Sequence, residues 1–182
     1  GDEYNLKIPK TVYPPREDTD LLAKTLISFN SGPGRKLLEI GSGSGVISIF
    51  AKKLGWDVVG CDINPLAVAG SRGLAEKYNV ENIEFIEGGI EPKSEQSVKI
   101  FEKGPFDLIL WNLPYLEKPN KNELLGPLED ASLSNIGEQK LHEVLLKKIG
   151  SEEGLSPEGG VILIHNDIGS GRMLTSECRK LG

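Results

Sequence analysis

Short runs that are apolar throughout alternate along this chain with longer stretches in which apolar residues recur every three or four positions. Leu37 to Ile40 is one such run and ends in glycines; from Val46 to Leu54 the apolar positions fall on a helical stripe that Gly55 closes. Asp57 to Ile63 predicts a second buried strand. Asn64-Pro65 then offers an N-cap followed by proline at the first helical position, where a missing N–H costs nothing, and the helix is expected to reach about Tyr78. Ile83 to Ile86, Phe106 to Trp111 and Val161 to Ile164 predict three further strands, the last introduced by the turn Ser156-Pro157-Glu158-Gly159-Gly160. Helices are expected near 137–149 and 170–180, while 91–104 and 117–136 are polar and irregular and read as loops.

Strands that are apolar on both faces and alternate with helices predict a parallel sheet covered on each side. The expected fold class is α/β, a doubly wound, mostly parallel sheet, forming one domain over residues 1–182. Within it, residues 1–34 form an N-terminal segment in which Val12-Tyr13-Pro14-Pro15-Arg16-Glu17-Asp18-Thr19 leads into an amphipathic helix with Leu22, Leu26 and Phe29 on one stripe. A proline stop followed by an Asp18 or Thr19 cap explains that segment. Tyr13 and Thr19 lining the mouth of a ligand site explains it equally well.

Composition narrows the function classes. With 182 residues and 38% apolar content there is material for one buried core. The net charge of −6 disfavours unaided nucleic-acid binding, which rests on basic surfaces that meet phosphates. Cys61 and Cys178 are the only cysteines, with no CxxC pair and no His-rich cluster, so neither a disulfide framework nor a metal site is expected and a reducing cytoplasm is. No apolar stretch approaches the roughly 20 residues that span a bilayer. His142 is expected to be solvated on its helix and His165 to pack or cap at the end of the fifth strand, neither with a catalytic role.

In open α/β sheets ligands sit beyond the carboxyl ends of the strands near the switch point, and Gly41, Asp62 and Asn112 would all fall there. Glu39-Ile40-Gly41-Ser42-Gly43-Ser44-Gly45 lies where a strand hands over to a helix, and its glycines let the backbone turn tightly against a ligand. A dinucleotide site calls for G-x-G-x-x-G, but here the third glycine, Gly45, comes one residue early and Val46 stands in its place. A ligand without phosphates, such as S-adenosylmethionine, suits this departure, with Glu39 near the ligand's ammonium. Asp62 follows about 20 residues after Gly41, where an acid accepts hydrogen bonds from both ribose hydroxyls; capping the next helix is its plainer role.

Asn112-Leu113-Pro114-Tyr115 closes the fourth strand with a geometry that suits a planar nitrogen. The Asn112 carbonyl can accept one N–H of an amide or exocyclic amine. Pro114 holds Leu113 out of the α region, which directs the Leu113 carbonyl to accept the second. Tyr115 would wall the planar group. An ordinary Asn-Pro turn at a strand end is the simpler alternative.

With these motifs in hand, the chain resembles the HemK-type protein glutamine methyltransferases, a Rossmann-like class I methyltransferase family, and in particular their short archaeal and eukaryotic branch. The resemblance is carried by Val12-Tyr13-x-Pro15-x-Glu17-Asp18-Thr19, the Leu38-Glu39-Ile40-Gly41-x-Gly43-x-Gly45 loop, Asp62-Ile63-Asn64-Pro65, Asn112-x-Pro114-Tyr115 and Leu155-Ser156-Pro157-x-Gly159-Gly160. It implies S-adenosylmethionine held by Tyr13, Thr19, Glu39, Gly41, Ser42, Gly43, Gly45, Asp62, Ile63, Gly89 and Asn112. It also implies methyl transfer to the glutamine of a GGQ loop in a release factor, with a small zinc-binding activator subunit as a partner. Lysine of a protein and an RNA adenine are alternative acceptors, and a non-catalytic cofactor-binding scaffold is a reading of another class. The chain departs from the family in three places. Leu113 replaces a proline, Gly88-Gly89 replaces a Gly-Asp that reads the adenine amine, so that contact is either absent or made by Glu91 or a backbone group, and only a short stretch follows the fifth strand, so the last two strands of the usual sheet are either missing from this chain or the sheet is open.

Overall fold

The computed structural model describes residues 12, 14–29, 32–91, 94–113, 135–136, 139–151 and 154–164. In chain order these form α1 (Glu17–Ser28), β1 (Lys36–Ile40), α2 (Val46–Lys53), β2 (Asp57–Asp62), α3 (Pro65–Lys77), β3 (Ile83–Glu87), α4 (Glu95–Phe101), β4 (Phe106–Asn112), β5 (Asn135–Ile136), β6 (Gln139–Lys140), α5 (Leu141–Ser151) and β7 (Leu155–Ile164). Five strands make one sheet in the order β3-β2-β1-β4-β7, every pairing parallel, while β5 and β6 form a separate antiparallel pair. This is the doubly wound α/β sheet that the apolar runs predict. Among the described residues no antiparallel strand joins it.

The alternation of side chains along each strand divides the core into two layers. Leu37, Val58, Leu108 and Leu110 point to the face covered by Leu22 and Leu26 of α1 and Ile47 and Ala51 of α2. Leu38, Ile40, Cys61, Ile109 and Trp111 point to the other, covered by Ile100 and Phe101 of α4 and Leu141, Val144 and Leu145 of α5. Burying aliphatic side chains of this size stabilises the fold by about 1.5–3 kcal/mol each, which is why uninterrupted apolar strands settle at the centre.

Several expectations are corrected. The stretch 91–104 is not all loop: it holds α4, whose N-cap Ser94 accepts a hydrogen bond from the Ser97 N–H at 3.1 Å. Residues 139–140 belong to β6, so the helix predicted from 137 begins at Leu141. Phe29 is 41% exposed because the helix ends at Ser28 and Phe29, its C-cap, turns off the Leu22–Leu26 stripe. His142 is buried, not solvated, since it flanks the stripe that α5 presses onto the sheet. The helix expected at 170–180, together with His165 and Cys178, lies outside the described residues.

β7 also differs from expectation, starting at Leu155 rather than Val161. Leu155 pairs with Phe106 and Gly160 with Leu108, so the predicted turn survives as an irregularity inside the strand. Asp107 explains why it stays attached. Its carboxylate accepts the Lys36 N–H of β1 and the Ser156 hydroxyl of β7, each at 2.8 Å, fastening three neighbouring strands at their amino ends. The Lys36 N–H beside it holds the Asp107 carboxyl below the usual carboxylate range. Asp107→Ala is expected to cost about 1–2 kcal/mol in urea unfolding, from two lost hydrogen bonds. Because the native carboxyl is depressed, this contribution is present above the ordinary carboxylate pKa and is lost as pH falls through the native value, so wild type and variant should converge in acid.

Candidate active site

β1 lies between β2 and β4, and its register sets the site. Ile40 pairs with Cys61 on one side and Trp111 on the other, so the next residues along, Gly41, Asp62 and Asn112, end their strands side by side. The strand order reverses between β1 and β4, which is the switch point of such a sheet.

From Ile40 the chain enters α2 through three left-handed residues, Gly41, Gly43 and Gly45, at φ of 67°, 54° and 77°. A side chain is excluded there twice over at Gly45, since a Cβ would also stand 2.7 Å from Ser71 of α3. The loop is tied down by its own N–H groups. Ser42 donates to the Cys61 carbonyl at 2.9 Å, Gly43 to Asp62 Oδ2 at 2.8 Å, and Gly45 to the Ser42 carbonyl at 2.8 Å. From α3 the Ser71 hydroxyl donates to the Gly43 carbonyl at 3.0 Å. Three N–H groups that a phosphate cradle would aim at its anion are thus already used.

Carboxylates surround this loop. Asp62 takes the Gly43 N–H on one oxygen and the Asn64 N–H on the other at 2.8 Å, keeping lone pairs free on both. It does not cap α3, because Asn64 does so by accepting from the Leu66 N–H at 3.0 Å. Burial raises the Asp62 carboxyl above its ordinary value against the pull of those two bonds. Glu39 is buried beneath the loop, and Ser48 of α2 donates its hydroxyl to it. Room for Ser48 comes from Gly60 of β2, where a Cβ would meet the hydroxyl at 2.9 Å. Burial pushes the Glu39 carboxyl from 4.5 up to about 8, with the Ser48 bonds pulling down and Asp62 adding a smaller upward push.

At the far side of Asp62, Ile63 stands 57% exposed although it is a large aliphatic residue. A Cβ on Gly89 would lie 3.1 Å from Ile63 Cγ2 and 3.1 and 3.2 Å from the two carboxylate oxygens of Glu91. The missing side chain at 89 is therefore replaced in space by the Glu91 carboxylate.

Asn112 is partly buried, and its Nδ2 donates to Asp18 Oδ2 of α1 at 2.7 Å. Asp18 Oδ1 accepts from the Thr19 N–H at 2.7 Å and the Thr19 hydroxyl at 3.3 Å. Neither residue is the N-cap of α1, which is Arg16; Thr19 takes part as the N3 residue of a capping box, its hydroxyl accepting the Arg16 N–H at 3.1 Å. Leu113 is 7% exposed and its N–H donates to the Ile164 carbonyl at 2.8 Å, a bond that proline there would forfeit. Tyr13, Pro114 and Tyr115 lie outside the described residues. Sequence reasoning missed Ser48, Ser71 and the Asp18 contact; an unusually small Gly60 beside an acidic strand residue was the only available sign of the first.

Residues 31–178 match a family model described as a methyltransferase domain. The chain belongs to that methyltransferase family. A protein of Methanocaldococcus jannaschii provisionally named protein N5-glutamine methyltransferase is 43% identical over 114 residues, 61% of this chain and 51% of the relative. The release factor glutamine methyltransferase of Lactococcus lactis subsp. lactis is 32% identical over 116 residues, 63% of this chain and 40% of the relative. The crystal structure of a ribosomal protein L11 methylase from Lactobacillus delbrueckii subsp. bulgaricus superposes with a TM-score of 0.56 at 20% identity, over 96% of this chain and 71% of that one, a likeness of fold. The chain thus spans about half the length, or less, of the curated relatives it matches.

The buried Glu39 yields a pH signature. A carboxyl raised in the native state binds its proton more tightly there than in the unfolded chain, so its stabilising contribution is complete below pH 4.5 and is lost as pH rises to about 8. The urea midpoint of the ligand-free protein should fall across that window, and Glu39→Gln should flatten the slope. Parallel curves for the two proteins would contradict this assignment.

Proposed function

We propose that this chain is an S-adenosylmethionine-dependent N-methyltransferase whose acceptor is the side-chain amide of a glutamine, in the GGQ loop of a translation release factor. The donor set around the glycine loop favours such a cofactor over a dinucleotide. Glu39, Asp62 and Glu91 offer acceptors to an ammonium, ribose hydroxyls and an exocyclic amine, whereas the same carboxylates would repel a pyrophosphate. The buried Ser42 hydroxyl, with no partner among the described residues, is a further unfilled hydrogen bond in the loop. In this reading Gly41, Ser42, Gly43 and Gly45 line the cofactor, Tyr13 and Thr19 close its mouth, Asp62 takes the ribose, and Ile63, Gly89 and Glu91 receive the adenine.

Bound there, S-adenosylmethionine supplies a methyl group on a positively charged sulfur. The chain's own part is to hold the acceptor. Asn112 Oδ1 accepts one N–H of the substrate amide, the Leu113 carbonyl accepts the other, and Tyr115 packs against the plane after Pro114. An amide nitrogen is a weak nucleophile, so holding it at attack distance and direction supplies much of the rate. Losing the Leu113 N–H to proline, as in the usual family motif, leaves this carbonyl in place, which is why leucine is compatible with the role.

The observation that supports the proposal best is Asn112: its Nδ2 donates to Asp18, which leaves its carbonyl oxygen as the end available to an acceptor's N–H. The glutamine itself is supported by the names of the two curated relatives and by the resemblance of the motifs. The reading places the reaction in the cytoplasm, and it keeps a small zinc-binding activator subunit as a partner on the resemblance alone. No described helix is long and apolar enough to cross a membrane.

Mass spectrometry of a release factor incubated with the protein and methyl-labelled cofactor should find the label on the GGQ glutamine. Asn112→Ala should lower that labelling at least 100-fold while calorimetry still detects the cofactor. Label on a lysine or on naked ribosomal RNA, with none on glutamine, would replace the proposed acceptor. Glu91→Ala should weaken cofactor binding about 10-fold or more, as expected when a charged hydrogen-bond partner is removed.

A further inference from the structure

The hydrogen bond between Asp18 and Asn112 joins residues 94 positions apart, and its chemistry is one-directional. A carboxylate can only accept, so Asn112 must turn its NH2 group to Asp18 and its carbonyl the other way. Asp18 is itself locked, because its second oxygen is taken by the Thr19 N–H and hydroxyl. Both groups are partly buried, where such a bond is less diluted by water.

We infer that Asp18 is the positioning residue of the acceptor site: it fixes the polarity of the Asn112 amide and so admits an acceptor that brings an N–H rather than a lone pair. The inference rests on the proposed function for the acceptor's place, and on the structure for the polarity. An amide left without Asp18 would turn over freely and present NH2 to the substrate about as often as oxygen. With Asp18 in place the wrong orientation would set two oxygens against each other at 2.7 Å.

Asp18→Asn separates polarity from size. The Thr19 N–H is a backbone donor and claims the one oxygen of the new amide, so the new NH2 faces residue 112. Asn112 then flips and offers its NH2 to the substrate. Turnover should fall on the order of 100-fold, with the cofactor dissociation constant within about threefold of wild type and the melting temperature little changed. Asn112→Asp placed in that background restores an acceptor on both sides of residue 112. The new carboxylate takes the NH2 introduced at position 18 on one oxygen and presents the other to the substrate. The double variant should therefore recover at least tenfold of the lost turnover, which no loss of packing would allow. Wild-type turnover in Asp18→Asn, or a double variant no better than the single ones, would overturn the inference.

A second readout does not depend on the acceptor. In a side-chain amide NMR spectrum the two Asn112 protons should be widely separated in the wild type, one held by a carboxylate, and should draw together in Asp18→Ala. If the wild type leaves glutamine unmodified and this separation is present, the glutamine reading fails and the orienting bond stands. If the separation is absent, the inference fails whatever the substrate.

Discussion

The parallel register of β1 with both its neighbours is the constraint on which the rest of the molecule depends. It brings Gly41, Asp62 and Asn112 to one edge at the point where the strand order reverses. A slip of one residue on either side would send Asp62 or Asn112 to the opposite face, because side chains alternate along a strand. Apolar burial on both faces of the sheet holds the register, and Asp62 and Asp107 lock it at opposite ends. One bridges β2 to the glycine loop, the other β1 to β4 and β7. Parallel strands require long crossovers that put helices on both faces, and α1, which precedes β1, packs beside α2 on one of them, where Asp18 reaches Asn112 from 94 residues away.

Carboxyl groups are concentrated at that edge, with Glu39 and Asp62 on the neighbouring strands β1 and β2. Glu39 and Asp62 are both raised by burial, and the thiol of Cys61, next to Asp62 on β2, is pushed up by its own burial first and by Asp62 and Glu39 after that. Burying carboxyl groups without a cation is costly, and without a ligand Glu39 meets the cost by keeping its proton near neutrality. A positively charged ligand removes the need for that proton. On the proposed function, the buried carboxyl groups that are costly on their own would be the ones that favour a cationic ligand, a common exchange at functional sites.

Much of this was legible in the chain itself, for identifiable reasons. Uninterrupted apolar runs mark doubly covered strands, so β1, β2, β3 and β4 fell within a residue or two of their expected ends. Asn64-Pro65 announced the start of α3 because capping is local chemistry. What escaped was non-local or short. The seven residues of α4 carry too few apolar positions to display a period, and the irregular start of β7 is held by Asp107 of another strand. The burial of His142 follows from where α5 lies on the sheet, which no local pattern conveys. That the glycine loop, Asp62 and Asn112 meet at one edge of the sheet was legible from spacing. Asp18 read as a helix cap because its partner Asn112 is distant in sequence, and the position of the Glu91 carboxylate beside Gly89 depends on a backbone path that spacing does not convey.

Backbone amide NMR during titration with S-adenosylhomocysteine tests most directly whether the carboxyl edge of β1, β2 and β4 is a site for an adenosyl ligand. The large shifts are predicted to fall on Gly41 to Gly45, Asp62 to Asn64 and Gly88 to Glu91. Shifts confined to the amino ends of the strands, around Lys36, Asp57 and Asn82, or no shifts at saturating ligand, would contradict that assignment.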